Sequence, residues 1–207
     1  MKFSEESISD LRRAVGLKIS QKRYQHTLCV EKMAIKICDF FPSLDKSEIS
    51  AAALLHDISK EYSEADQLAL AKENNITLTA DDLATPAALH SVTAQAVIIK
   101  EFPSFVTDNV ISAVTHHTLG HPQMSLFDSV IFISDYAEES RTYPACIKVR
   151  DELLSGLANS SNPEQMLLAL RKAIVDALSF TIDAISEKGN HLHITTLKTR
   201  DAFMKII

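Results

Sequence analysis

His56 and Asp57 stand side by side at the end of the apolar run Ala51-Ala52-Ala53-Leu54-Leu55. A run this hydrophobic belongs in an interior. An imidazole and a carboxylate at its end then need partners, because burying either one alone costs several kcal/mol. A metal ion is one such partner. The plainer alternative is a histidine hydrogen-bonded at a helix end beside an exposed turn aspartate. Four further residues weigh against that alternative: His26, His90, His117 and Asp135. Imidazole and carboxylate ligands without cysteine suit Fe, Mn, Zn or Co. Four histidines and two aspartates exceed what one tetrahedral zinc needs, which points to two ions with Asp57 as a candidate bridge. Such a pair clamps a phosphoryl group, lowers the pKa of a bound water, and stabilises the attacking and leaving oxygens of an in-line displacement.

The elements that must position these residues read as helices. Apolar residues recur at three-and-four spacing, strand-like alternation is scarce, and the chain has only 4 Gly and 6 Pro, so the expected fold is all-α. Residues 4–17 form an amphipathic helix with Ser4 as cap. Ser20 precedes a helix over 21–41, whose stripe Val30, Met33, Ala34, Ile37, Cys38 and Phe41 extends back to His26, with Arg23 one turn earlier. A histidine on such a face is commonly a satisfied core residue, and His26 carries that alternative. Asp45 or Ser47 caps the next helix, which bears the opening stretch and ends near Lys60. Residues 64–73 form a polar helix and 74–84 a loop. Thr85 and Pro86 open a helix to about Phe102, with His90 facing inward alongside Ala94, Val97 and Ile98.

A helix over about 105–118 carries two adjacent histidines. His117 continues the buried row Val106, Val110, Ala113, whereas His116 follows the mostly polar row Phe105, Asn109, Ser112; periodicity therefore selects His117 as the ligand. Gly120 marks a helix stop, and Ser125 caps a helix in which Asp135 follows the apolar Val130-Ile131-Phe132-Ile133. A carboxylate so placed wants a cation such as a metal; the plainer alternative is pairing with Arg141 or a bond from a backbone donor. Residues 144–157, a long helix from Asn162 to about Lys188, and 195–206 complete the chain, with His191 and His193 read as exposed loop residues.

The expected organisation is one domain over 1–207, with a core of about 18–142 and C-terminal helices 144–207 packed on it. The hydrophobic content of 46% fills a core, and the formal charge of -6 argues against a nucleic-acid groove or an anionic membrane as partner. The start does not read as a signal peptide and no apolar run reaches 18 residues. Cys29, Cys38 and Cys146 lack CxxC spacing and read as reduced thiols, so the expected location is cytoplasmic.

The order His26, His56-Asp57, Asp135 resembles the HD-domain superfamily of metal-dependent phosphohydrolases, and His90 and His117 match the added histidines of its dinuclear members. Five segments resemble the YqeK-type symmetrical dinucleoside tetraphosphatases more closely. They are Arg23-Tyr24-Gln25-His26, Ala53-Leu54-Leu55-His56-Asp57-Ile58-Ser59-Lys60, Ala88-Leu89-His90, His117-Thr118-Leu119-Gly120 with Met124-Ser125, and Ser134-Asp135-Tyr136 through Arg141, and the likeness spans about 10–190. The resemblance implies an HD-domain helical bundle with a metal site between helices. It implies cleavage of diadenosine tetraphosphate into two ADP, with iron, one or two ions, as the metal. A nucleotidase acting on mononucleotides and a non-catalytic nucleotide-binding regulator are the alternatives, and a homodimer is compatible with the sequence.

Carried onto this chain, the resemblance puts the first metal on His26, His56, Asp57 and Asp135. Asp57, His90 and His117 then serve a second metal, or contact phosphate directly. Arg23, Lys60 and Arg141 would offset phosphate charge, and the Thr118–His121 backbone, Gly120 included, would offer N–H groups to another phosphate. The chain departs from the family pattern at Leu119 and His121, where the family loop reads His-Thr-Thr-Gly-Arg, at Ser91 for a glycine, and at Ser134 through Glu139 for Ala-Asp-Tyr-Ile-Glu-Pro. No proposed ligand is lost, but the loop arginine is, which bears on substrate contacts.

Overall fold

The computed structural model describes residues 2–207. Among them there is no strand. The helices are α1 (Glu5–Gly16), α2 (Gln21–Cys38), α3 (Lys46–Leu55), α4 (Glu64–Glu73), α5 (Ala80–Leu83), α6 (Leu89–Glu101), α7 (Asp108–His116), α8 (Leu126–Ala137), α9 (Pro144–Ala158), α10 (Pro163–Glu187) and α11 (Ile194–Met204). Side-chain caps define most starts. Ser4, Ser20 and Asn162 each accept a first-turn N–H, Asp45 accepts two, and Ser125 forms a reciprocal capping box with Asp128. Each such cap is worth about 1 kcal/mol.

α3 is the hub. It packs against α1, α2, α7 and α8, and Ala51 through Leu55 are all buried. Its three alanines let neighbouring helices approach closely, and truncating a leucine such as Leu55 there would cost about 2–5 kcal/mol. α6 packs between α4 and α7, α10 lies on α8 and α9, and α11 lies on α10. Arg12 of α1 grips Glu31 of α2 with two hydrogen bonds, and Ser50 of α3 donates to the same carboxylate, which ties the first three helices together.

Several boundaries differ from the sequence reading. α2 ends at Cys38 rather than 41, and Phe40 and Phe41 turn the chain. α3 ends at Leu55, so His56 and Asp57 lie in the turn after it rather than inside a helix reaching Lys60. The loop 74–84 contains α5, capped by Thr79 and Asp82 in a reciprocal box. Thr85 caps nothing: its hydroxyl donates to the Asp81 carbonyl, Pro86–Ala88 form a 3-10 turn, and α6 begins at Leu89. α7 starts at Asp108 because the Thr107 side chain caps it. His193 is buried rather than exposed, 6% accessible, because its ring caps α11 and its Nε2 reaches Asp82 over 3.2 Å. That pairing spans 111 positions, and no local pattern announces it.

Candidate metal centre

Five segments bring their polar side chains to one point. His26 comes from α2, His56 and Asp57 from the turn after α3, His90 from the first turn of α6, His117 from the end of α7, and Asp135 from α8. Asp57 is the centre. Its Oδ2 lies 3.4 Å from His56 Nε2 and 3.7 Å from His26 Nε2, and its Oδ1 lies 3.3 Å from His90 Nε2 and 3.5 Å from His117 Nε2. Asp135 Oδ1 sits 3.0 Å from His26 Nε2 and 3.8 Å from His56 Nε2. Three overlapping groups could each hold an ion: His26, His56 and Asp57; His56, His117 and Asp135; and Asp57, His90 and His117. His56, Asp57, His90 and His117 are 0–3% exposed.

The ring orientations follow from the opposite nitrogen. His56 Nδ1 donates to the Ala53 carbonyl over 2.6 Å, His90 Nδ1 to Ala87 over 3.0 Å, and His117 Nδ1 to Val114 over 2.7 Å. Each acceptor is the backbone carbonyl three residues earlier, and that of Ala87 also accepts from Lys60 Nζ over 3.2 Å. A carbonyl can only accept, so in the neutral rings the proton is on Nδ1 and the lone pair on Nε2, the form that ligates metals. These lone pairs converge on Asp57. His90 and His117 approach Nε2 to Nε2 at 3.1 Å, with the Thr118 hydroxyl 3.1 and 2.9 Å from them. The buried Nε2 atoms of His26 and His56 make no hydrogen bond among the described residues. Inward lone pairs, two buried carboxylates and two orphaned nitrogens form a donor set that a cation satisfies.

The titration of the cluster reflects the same demand. Burial opposes a charged His26, but Asp135 and Glu138 outweigh it and raise its pKa to about 9. Burial opposes charge on Asp57 and Asp135 as well, yet the surrounding histidines, with Arg141 for Asp135, hold both below the usual carboxylate range. Burial keeps His90 neutral, with its pKa lowered to about 4.

Cationic side chains surround the cluster. Arg23 Nη1 donates to Asp57 Oδ2 over 2.6 Å and Arg141 Nη2 to Asp135 Oδ1 over 2.9 Å. Asp135 therefore pairs with Arg141 and also faces His26 Nε2. Lys60 Nζ lies 3.3 Å from the His90 ring nitrogens. An open cleft of about 590 Å³ lies on one side, lined by Ser20, Arg23, His26 and Arg141 among others. A smaller pocket of about 150 Å³, which shares Arg141 with the cleft, is lined by His117, Thr118, Phe132, Asp135 and Tyr136 among others. The Gly120 N–H donates to the His116 carbonyl over 2.9 Å, so of the Thr118–His121 donors that the sequence offers to phosphate, that one is already used. His116 lies outside the cluster, 3.3 Å from Asp128 and stacked on His121.

Sequence reasoning missed Glu138. Its Oε1 lies 3.2 Å from His26 Nδ1, and it is fully buried. Helical spacing does not announce it, because α8 ends at Ala137 and Glu138 is already in extended backbone.

The HD domain family signature matches residues 23–140, more than half of the chain and the whole of the cluster. This chain belongs to the HD domain family. Among proteins with curated names, it is 28% identical over 185 residues to the symmetrical bis(5'-nucleosyl)-tetraphosphatase of Halalkalibacterium halodurans, covering 87% of this chain and 88% of that one. It is 29% identical over 147 residues to the enzyme of the same name from Staphylococcus aureus, covering 70% and 73%. A solved structure from Clostridium acetobutylicum, described as a predicted HD superfamily hydrolase involved in NAD metabolism, superposes with a TM-score of 0.81 at 25% identity and covers 98% of both chains.

Proposed function

We propose that this HD domain protein is a metal-dependent phosphohydrolase that cleaves diadenosine tetraphosphate symmetrically into two ADP. The observation that carries this reading is the set of Nε2 lone pairs and carboxylate oxygens around Asp57, flanked by Arg23, Lys60 and Arg141. The curated names of the relatives supply the substrate.

In this reading His26, His56, Asp57 and Asp135 hold the first metal. Asp57, His90 and His117 hold a second, or meet phosphate when a single ion is bound. Iron is the expected metal, with Mn, Co or Zn as substitutes. When bound, the metal would polarise phosphoryl oxygens and lower the pKa of a water. The rest is the work of the chain. Arg23 and Arg141 present planar forks at the mouth of the cleft, suited to phosphate oxygens on either side of the bridge. Lys60 neutralises charge beside His90, and the Thr118 hydroxyl reaches the same spot. Because burial keeps His90 neutral, it acts as a lone-pair donor rather than a proton source. Two separate openings that both reach Arg141 suit a substrate with two nucleotide halves.

We further read residues 1–207 as a single HD-type domain, acting in the cytoplasm on a small dinucleotide, without a nucleic-acid or membrane partner; a homodimer is compatible with this. No helix among the described residues is long and apolar enough to cross a membrane. The test pairs elemental analysis with product analysis on one anaerobically purified sample. One or two ions per chain and ADP as sole product support the reading. Bound metal with cleavage of mononucleotides alone would move the substrate to a nucleotidase. Metal with tight nucleotide binding and no turnover would make the chain a regulator.

A further inference from the structure

The four histidines of the cluster are not anchored alike. His56, His90 and His117 each give Nδ1–H to a neutral backbone carbonyl. His26 alone gives it to a carboxylate, that of Glu138. Glu138 is fully buried at the end of α8 and is itself held in place. The Ser140 N–H donates to its Oε2 over 2.5 Å, and the Ser140 hydroxyl donates to its Oε1 over 2.6 Å. Arg150 donates to its backbone carbonyl over 2.9 Å. The carboxylate therefore cannot swing away from His26 without breaking both Ser140 bonds.

A charged acceptor on Nδ1–H makes the opposite nitrogen a stronger donor than a neutral carbonyl does, and such outer partners are typically worth about 10–100-fold in metal affinity. At the His26 end the nearby cations are each paired with a carboxylate, Arg23 with Asp57 and Arg141 with Asp135. At the opposite end no carboxylate backs a ring Nδ1, and the Lys60 ammonium faces the His90 ring nitrogens at 3.3 Å, where it opposes a second cation. We propose that Glu138 is a positioning residue for His26 that makes the His26–His56–Asp57 end of the cluster the tighter of two unequal metal positions. This rests on the reading of the cluster as a metal site.

The test is titration of metal-free full-length protein with Mn²⁺, followed calorimetrically, for wild type, E138Q, E138D, S140A and K60Q. E138Q keeps the shape and removes the charge. It should weaken the first ion bound by about 10–100-fold and leave the melting curve of the metal-free protein cooperative. E138D should recover part of that loss. S140A keeps the charge but loosens its hold, so it should weaken the first ion less than E138Q does, and it reports even if E138Q folds poorly. K60Q should leave the first ion unchanged and tighten the second. Wild type that binds Mn²⁺ with E138Q and S140A binding the first ion equally well overturns the role of Glu138 alone. Wild type that takes up no Mn²⁺, nor iron under anaerobic conditions, overturns the metal reading beneath it.

Discussion

Arg23 Nη1 donates to Asp57 Oδ2 over 2.6 Å, so the central carboxylate of the cluster is paired with an arginine from the first turn of α2. The same guanidinium lines the open cleft. It can stay near Asp57 while its remaining donors meet phosphate. R23Q should therefore raise KM by about 10–100-fold, the worth of a charge-assisted hydrogen bond or two, with kcat and metal content less affected. R23K should recover little, because an ammonium lacks the fork. Loss of bound metal in R23Q would show instead that Arg23 mainly holds Asp57 in place.

Adjacent histidines separate function from scaffold. His117 lies in the cluster, whereas His116 pairs with Asp128 and stacks on His121. H117A should lower kcat on the order of 100-fold or more, as loss of a group at the reacting centre does. H116A should leave kcat within about twofold and cost about 1–3 kcal/mol, because it leaves Asp128 buried with one donor fewer. Parallel kinetics and urea melts decide this, and the reverse ranking would reject the choice of His117.

Chelation offers a test that needs no substrate. A metal present at about 100 times its Kd stabilises the folded state by about 2.7 kcal/mol, which is about 5–11 °C in Tm for a chain of this size. EDTA should remove that increment and added metal should restore it. D57N, which keeps the side-chain volume, should show no metal-dependent rise in Tm and no turnover. A D57N protein that still melts higher with metal would move the ion away from Asp57.

The metal-free protein should be most stable near pH 6.5. His26 is raised from 6.5 to about 9 in the fold, so its contribution is complete below about 6.5 and is lost as pH rises toward 9. His90 is lowered from 6.5 to about 4, so the unfolded chain takes up the proton first and stability is lost as pH falls from 6.5 toward 4. Bound metal requires neutral histidines, so the alkaline loss should vanish in the loaded protein. Melting curves over pH 5 to 9, with and without EDTA, would show both limbs; a Tm that keeps rising to pH 9 in EDTA contradicts the His26 assignment.

Gly120 adopts φ +71°, and a Cβ there would lie 2.7 Å from Thr199 Cγ2 on α11. G120A should cost about 1–3 kcal/mol from the left-handed backbone alone, with the clash added. T199S removes the methyl and should recover only that part of the clash, because Thr199 Cβ and Oγ1 also lie 3.2 Å from the added Cβ. Because the same loop carries Thr118, G120A should also lower turnover. Full recovery of stability by T199S would mean that the backbone conformation itself costs nothing.

The period of 3.6 residues told, from sequence alone, which way the helix-borne histidines of the cluster face, although it also put Val106 on the buried row, where the structure leaves it exposed ahead of α7. It placed His26 on the buried stripe of α2, set His117 apart from His116, and turned His90 inward. Short polar residues before apolar runs marked the caps Ser4, Ser20, Asp45, Ser125 and Asn162. These are local signals, set by the geometry of one helix. Tertiary structure alone decided what each inward residue meets. The end of α3 at Leu55 lets Asp57 turn its two oxygens to different histidine pairs. Glu138 reaches His26 across 112 positions, and His193 reaches Asp82 across 111. Such pairings depend on how helices cross, and crossing is set by packing between surfaces distant in sequence, of which periodicity carries no record.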